Sequence, residues 1–234
     1  MLTLDLSTCP VEIRGTRKLH WNKPRRNLVA NLRRTLQYAR DERPLQEFFL
    51  KQPEAIVFGI YGGPHQVWVF PHPQFGTIEG LDSVPDFLIC NWSSVGPEWI
   101  VVELESPTLN PINTKGISAI CNHAVQQVND YRKFFSEYVE SLRNVGWIGL
   151  NGDCRGYVVI GRRWSRGSKK DVERLANFRK DKIEIVSYDR VLEKCSEMQR
   201  WVNTNSRSAR AVAMKRLIAA AKNRSSTKSP PASV

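Results

Sequence analysis

The sequence of 234 residues has few cysteines and lacks any long apolar run. Its five cysteines lie at least 31 residues apart and form no Cys-x-x-Cys pair, which argues against a disulfide scaffold or a zinc ribbon. No stretch approaches the roughly 18 to 20 apolar residues of a membrane span. The N-terminus has no apolar run of signal-peptide length. These absences predict a reduced, cytoplasmic protein that has no membrane partner.

Acidic residues are also in deficit, and the deficit is concentrated near the two ends. Lys and Arg number 35 against 23 Asp and Glu, which gives a net charge of +12. Residues 14–43 carry +8 and residues 206–234 carry +7, whereas residues 44–205 carry −1. Basic flanks around a near-neutral middle suggest that the flanks hold a polyanion, for which nucleic acid is a better candidate than a membrane surface. The alternative is that the excess of basic residues only keeps the protein in solution.

Length and composition are those of one globular domain with additions at both ends. We expect a basic N-terminal arm and helix over residues 1–41 and a core domain over residues 42–205. We expect a basic C-terminal helix over residues 206–224 and a disordered Ser/Pro-rich tail over residues 225–234.

Apolar periodicity predicts alternating helices and strands between these ends. Apolar residues spaced three or four apart predict helices over residues 27–40, 45–50, 117–143, 169–178 and 189–201. Runs rich in β-branched and aromatic residues predict strands over residues 55–61, 66–70, 156–161 and 182–188. Asp41 and Asp189 are expected to cap the helices that follow them. The expected fold is α/β, with a mixed central β-sheet flanked by helices and basic helical extensions at both ends.

Residues 85–105 have the pattern of a β-hairpin, with apolar strands on either side of a loop at residues 93–96. If this loop is the turn, the numbers of opposite residues sum to 189, so Asp86 faces Glu103. Because side chains alternate along a strand, Glu105 lies on the same face as Glu103. Three carboxylates therefore converge at the end of an otherwise apolar sheet face.

Such a cluster requires a proton, a basic partner or a bound cation, because like charges in direct opposition repel each other. Oxygen ligands favour a hard ion, so the expected cofactor is Mg²⁺ or Mn²⁺. His65, His72 and His123 lack the spacing of a zinc site, and we interpret them as structural. The alternative is that the acids lie in water at an exposed strand end. A register shift of one residue would turn Asp86 to the opposite face.

The hairpin and the segments around it resemble a known family. Pro85-Asp86-Phe87 followed by Glu103-Leu104-Glu105 resembles the metal-binding core of the PD-(D/E)XK nuclease superfamily. More narrowly, the chain resembles the nuclease domain of the Shedu anti-phage defence proteins over about residues 42–195. The other matching motifs are Glu42 with Gln46, Ala124 with Gln127 and Tyr131, GYVVIGRR at 156–163 and IEIVSYD at 183–189.

The resemblance implies a PD-(D/E)XK nuclease-like core and an endodeoxyribonuclease that hydrolyses DNA with Mg²⁺ in anti-phage defence. In this interpretation Asp86, Glu103 and Glu42 bind the metal. Glu105 and Gln127 join Asp86 and Glu103 as catalytic residues. Glu42 could instead be only a first-turn acid favoured by the helix dipole. DNA is the expected partner, RNA stays an alternative, and we expect a homo-oligomer.

Tyr131 lies on the apolar stripe of the long helix, so we interpret it as a core aromatic residue. The expected stripe comprises Ile117, Ile120, Ala124, Val128, Tyr131, Phe135, Val139 and Leu142. Gln127 borders this stripe and is the better candidate for a site residue.

Glu105 departs from the family pattern, in which this position normally carries Lys. A carboxylate can act as a general base or a further ligand, but it supplies no positive charge to the transition state. Lys115 could compensate if its loop reaches the site. The alternative function is a catalytically silent nucleic-acid-binding module on the same fold.

Basic residues in the flanks and after the strand at 156–161 are candidates for binding nucleic acid. They are Arg33, Arg34, Arg162, Arg163, Arg166, Lys169, Lys170, Lys215 and Arg216. For those after the strand, an ordinary solvated loop is the alternative. A further hypothesis is that the final helix binds anionic membranes or protein partners.

Overall fold

The computed structural model describes residues 17–18, 27–61, 66–75, 83–114, 116–162 and 169–204. The strands are β1 (Arg17–Lys18), β2 (Gln66–Pro71), β3 (Phe87–Ser93), β4 (Gly96–Leu104), β5 (Ile112–Asn113), β6 (Gly116–Ile117), β7 (Arg155–Val159) and β8 (Ile183–Val186). The helices are α1 (Leu28–Tyr38), α2 (Arg43–Lys51), α3 (Glu54–Ile60), α4 (Ala119–Glu137), α5 (Val139–Asn144), α6 (Lys169–Asn177) and α7, described over residues 188–204.

Six strands form one mixed sheet in the order β1-β2-β3-β4-β7-β8. The first four pair antiparallel, whereas β4-β7 and β7-β8 pair parallel. A parallel neighbour requires a crossover, and the segment that contains α4 and α5 connects β4 to β7. The carboxyl ends of β4 and β7 therefore lie at the same edge of the sheet. The expected α/β fold with a mixed central sheet is confirmed.

Each face of the sheet carries its own apolar core. Leu88, Cys90 and Val101 face α4 and α5 in a core that includes Phe135 and Leu142. The residues that alternate with them, such as Phe87, Ile89 and Ile100, face α1, α2, α3 and α7. Because both faces are covered, β3 and β4 read as nearly continuous apolar runs.

The predicted hairpin register is confirmed. Phe87 pairs with Val102, Cys90 with Trp99 and Ser93 with Gly96, so every pair sums to 189. Gly96 adopts a positive φ of 117°, a backbone conformation that glycine permits at the turn.

Residues 55–61 were expected to form a strand, and this prediction is wrong for most of the run. The segment Glu54–Ile60 is helix α3, in which Ala55, Ile56, Val57, Phe58 and Gly59 are all buried. A helix that is buried on most sides has no polar face, so its apolar run resembles a buried strand. Gly59 packs directly against Val191 of α7, where a Cβ atom would lie 2.3 Å from Val191 Cγ1.

The long helix and the cap of α7 differ from expectation in detail. Tyr138 leaves the helical conformation and separates α4 from α5. Ile120 and Val139, expected in the buried stripe, are 41% and 38% exposed. Ser187, rather than Asp189, accepts the N–H of Arg190 at the start of α7 through its hydroxyl. Asp189 instead binds Arg162.

In the part of the chain that the structure describes, no helix is both long enough and apolar enough to span a membrane. The predicted N-terminal arm lies almost wholly outside the described residues, as do the C-terminal helix at 206–224 and the tail at 225–234.

Candidate functional site

The candidate site lies where β2 and β4 end and β3 begins. Phe87 is the first paired residue of β3, opposite both Pro71 of β2 and Val102 of β4. One residue further along the edge, His72, Asp86 and Glu103 lie in a row across the three strands. The backbone N–H of His72 continues the ladder by donating to the Asp86 carbonyl, at 3.0 Å.

Asp86 is held through both of its carboxylate oxygens. The side-chain amide of Gln46, on α2, donates to Oδ1 at 2.5 Å. The backbone N–H of Leu104 donates to Oδ2 at 2.8 Å. Burial raises the pKa of Asp86, and the hydrogen bonds from Leu104 and Gln46 together with the charge of His72 oppose that rise. These contacts fix the carboxylate at the sheet edge.

Glu103 is a nearly buried carboxyl group that faces another carboxyl group. It is 6% exposed and lies within hydrogen-bonding reach of Asp86 and of the Tyr131 hydroxyl. Burial raises the pKa of Glu103 to about 9, and the charge of Asp86 adds to the rise. Its Oε1 is buried and has no hydrogen-bond partner in the described part of the protein. A buried carboxylate oxygen without a donor is costly unless a proton or a cation satisfies it.

Tyr131 is both a core residue and a site residue. Its side chain is 1% exposed in the α4 core, while its hydroxyl contacts Glu103 and lies 3.1 Å from Ser83 Oγ. Burial and the charge of Glu103 raise the pKa of Tyr131, so its hydroxyl stays protonated beside Glu103. Gln127, predicted as the better candidate, lies half-buried one helical turn earlier. The structure therefore places Tyr131 against the buried carboxyl group.

Glu105 lies just beyond β4 with its backbone fixed on both sides. Its N–H donates to the Val159 carbonyl at 2.8 Å, and its carbonyl accepts the Tyr188 hydroxyl at 2.7 Å. Burial raises the pKa of Glu105 to about 7, with further contributions from the charges of Glu42 and Asp86. Glu42, exposed at the start of α2, is therefore close enough to act on the cluster electrostatically.

The acids have no strong basic partner among the described residues. No Lys or Arg there forms an ion pair with Asp86, Glu103 or Glu105. Within the same residues, no group of three or more His, Cys, Asp and Glu side chains is arranged to hold a metal ion. The buried Oε1 of Glu103, which has no hydrogen-bond partner among the described residues, is an oxygen donor of the kind that hard cations bind.

The basic residues predicted to bind nucleic acid lie in several segments of the chain. Arg33 and Arg34 are exposed on α1. The end of α1 is anchored beside the site, because the hydroxyls of Ser106 and Thr108 both donate to the Arg40 carbonyl at 3.1 Å.

Arg162 makes internal contacts instead of presenting a free guanidinium group. It donates to both carboxylate oxygens of Asp189 and to the Leu36 carbonyl, so it joins α1 to α7. Lys169 and Lys170 begin α6. Arg163, Arg166, Lys215, Arg216 and Lys115 lie outside the described residues.

Sequence reasoning did not find His72 as a site residue. The sequence shows that His72 follows β2 directly. It does not show the register between β2 and β3, which places His72 opposite Asp86, because the connection between these strands is long. Gln46 was found only through the family resemblance.

The protein-family comparison matches residues 39–192, about two thirds of the chain, to the family described as Shedu protein SduA, C-terminal. No curated protein matches the sequence. The matched range contains α2, the hairpin, α4, β7 and β8, and hence every residue of the site described above. This chain therefore belongs to the Shedu protein SduA C-terminal family.

Proposed function

We propose that the protein is a Mg²⁺- or Mn²⁺-dependent nuclease with a PD-(D/E)XK-like core that hydrolyses phosphodiester bonds of DNA. The observation that carries this proposal is the nearly buried Glu103 carboxyl group, which faces Asp86 and has one oxygen without a partner among the described residues. Membership in the Shedu family supports a role in anti-phage defence.

Asp86 and Glu103 would hold the ion. The family resemblance makes Glu42 a further ligand. Glu42 lies at the start of α2 and its charge acts on Glu105, but among the described residues it forms no three-residue metal group with Asp86 and Glu103. A bound divalent ion supplies Lewis acidity and neutralises the negative charge that builds on the phosphate. The ion also replaces the proton that the two facing carboxyl groups otherwise require.

Glu105 would accept the proton of the attacking water. A general base works best when its pKa lies near the operating pH, and burial raises the pKa of Glu105 to about 7. Its fixed backbone holds the carboxylate at the carboxyl end of β4.

Three groups would keep the ligands in place. Gln46 and the N–H of Leu104 orient Asp86, and the hydroxyl of Tyr131 orients Glu103. Gln127, on the same helix as Tyr131, would position the water or the DNA backbone. Such contacts matter because a small misplacement of a reacting group lowers the rate strongly.

The exposed Arg33 and Arg34 of α1 support DNA binding beside this site, because the end of α1 is anchored to the loop that follows Glu105. Phosphate contacts of this kind are independent of sequence and weaken with salt.

A second candidate function is a catalytically silent nucleic-acid-binding module. It is favoured by Glu105, which stands where the resemblance expects Lys, and by the absence of a three-residue metal group within the described residues. In that case the protein binds DNA without cutting it, and Glu105→Lys creates cleavage.

The test is cleavage of plasmid and linear DNA by purified protein with Mg²⁺ or Mn²⁺. We expect Asp86→Asn and Glu103→Gln to lower the rate by roughly 10³-fold, since each removes several kcal/mol of charge stabilisation. Glu98→Gln is the matched control, because Glu98 lies on the same strand but pairs with Arg155 at 3.2 Å. Full activity in both site variants would refute the assignment, and an inactive wild-type protein that still binds DNA would establish the second candidate.

A further inference from the structure

His72 lies in the same row as the two central carboxyl groups. Pro71 pairs with Phe87, and the next residues, His72 and Asp86, remain joined by the 3.0 Å hydrogen bond from the His72 N–H to the Asp86 carbonyl. Directly opposite residues of neighbouring strands have Cβ atoms about 4.5 to 5.5 Å apart. His72 is therefore a neighbour of Asp86 through the strand pairing itself.

The electrostatics of the site point to the same residue. The charges of several described side chains affect the pKa values of Asp86, Glu103 and Glu105. Among these side chains His72 is the basic one, and its charge lowers the pKa of Asp86. Its ring also packs near Phe87, with centroids 6.4 Å apart. Among the described residues, a site that must accept an anionic phosphate thus has His72 as the basic side chain beside its acids.

The backbone of His72 is strained. Its φ is 43°, a left-handed conformation that costs a residue with a Cβ atom roughly 1 kcal/mol or more. Glycine adopts this conformation without the penalty. His72 adopts this conformation at the edge of the acid cluster and is only partly buried, which points to a functional role for its imidazole ring.

We propose that His72 donates a hydrogen bond to the phosphate that is cleaved, in place of the lysine that Glu105 has replaced. This inference rests on the proposed nuclease function. An imidazole can donate from a ring nitrogen whether neutral or charged, so the contact does not depend on a particular protonation state. Donors aimed at a phosphate stabilise the charge that develops on it.

The experiment uses His72→Gly, because glycine suits the backbone at this position. We expect cleavage to fall by roughly 10²- to 10³-fold, while the melting temperature stays equal or rises. Added imidazole should restore part of the activity. His72→Asn, which tolerates the left-handed conformation and keeps a donor, should retain more activity than His72→Gly.

Lys182→Gly is the matched control. Lys182 also has a positive φ, 58°, but lies at the opposite end of the sheet in an ion pair with Asp153. This variant should cleave at the wild-type rate.

Calorimetric titration with Mn²⁺ separates phosphate binding from metal binding. Unchanged Mn²⁺ affinity in His72→Gly supports the inference, whereas a weaker affinity makes His72 a metal ligand and overturns it. Wild-type cleavage together with full activity in His72→Gly overturns this inference alone, while a wild-type protein that does not cleave overturns the nuclease function. A loss of activity in Lys115→Ala and none in His72→Gly assigns the missing charge to Lys115 instead, which also overturns the inference.

Discussion

The two ends of the central sheet differ in whether their acidic residues form ion pairs. At one end, which we call the paired end, Glu98 binds Arg155, Asp153 binds Lys182 and Glu184 binds Arg179. At the other, the acidic end, Asp86, Glu103 and Glu105 lie together, and no Lys or Arg of the described chain forms an ion pair with them. The same strand, β4, contributes Glu98 to the first and Glu103 to the second.

The difference shows which acids stabilise the fold. The Glu98 side chain is 35% exposed, and ion pairs of this kind contribute about 0 to 1 kcal/mol. Glu103 is 6% exposed beside another carboxyl group, an arrangement that opposes folding when both are charged. Lys and Arg are abundant in this chain. Among the described residues none of them pairs with Asp86, Glu103 or Glu105, so these three acids contribute no such ion pair to the stability of the described structure.

The largest expected effect concerns pH and stability without metal. The pKa of Glu103 is about 9 in the folded protein and near 4.5 when the residue is exposed. The contribution of protonated Glu103 to the free energy of unfolding is therefore fully present below pH 4.5 and is lost as the pH rises toward 9. The glutamine of Glu103→Gln stays neutral at every pH. In EDTA at alkaline pH we therefore expect this variant to melt roughly 5 °C or more above wild type. Each kcal/mol of unfolding free energy changes the melting temperature of a domain of this size by about 2 to 4 °C.

Thermal unfolding from pH 5 to pH 9 checks this prediction. Wild type should lose stability across the range and Glu103→Gln should lose less. Glu105, whose pKa is also raised, leaves a residual slope in the variant. Equal pH dependence in the two proteins would contradict an unneutralised Glu103.

A smaller effect is expected when the group that orients Glu103 is removed. Tyr131→Phe keeps the ring in the core but deletes the hydroxyl that contacts Glu103. We expect cleavage to fall about tenfold, which corresponds to the loss of one hydrogen bond. Because that hydrogen bond lowers the pKa of Glu103, its loss should move the alkaline loss of stability to higher pH.

Tyr157→Phe provides the control for the Tyr131 variant. Tyr157 contacts Glu184 at the paired end, so removing its hydroxyl should leave the cleavage rate unchanged. If the two variants cleave equally well, Tyr131 has only a packing role.

The smallest effect is expected at the paired end itself. Glu98→Gln removes an exposed ion pair with Arg155, so it should lower the free energy of unfolding at pH 7 by at most about 1 kcal/mol. Glu103→Gln, in contrast, is expected to raise the free energy of unfolding at this pH. Urea unfolding of both variants measures the contrast, and a stabilising Glu98→Gln would show that the two ends do not differ as described.

The sequence predicted the parts of the site that depend on local pattern. The register between β3 and β4 follows from a short turn, so the opposition of Asp86 and Glu103 could be predicted before the structure. The register between β2 and β3 depends on a long connection, so His72 could not be placed. Pattern also failed for α3, because a fully apolar run has no period that separates a helix from a strand.

The prediction for Tyr131 was incomplete for a different reason. Its helical spacing correctly predicted burial, but spacing does not show where a hydroxyl points. Only the packing of α4 against β4 brings that hydroxyl to Glu103 and makes one side chain serve both the core and the site.

A calorimetric titration of the protein with Mn²⁺ at neutral pH tests most directly whether the acidic end of the sheet binds a metal ion. We expect binding to wild type to release protons, because the ion displaces the proton held by the facing carboxyl groups. We expect strongly reduced binding to Glu103→Gln and wild-type binding to Glu98→Gln. Equal affinity in all three proteins, or no binding to any of them, would contradict the claim that the acidic end of the sheet is a metal site.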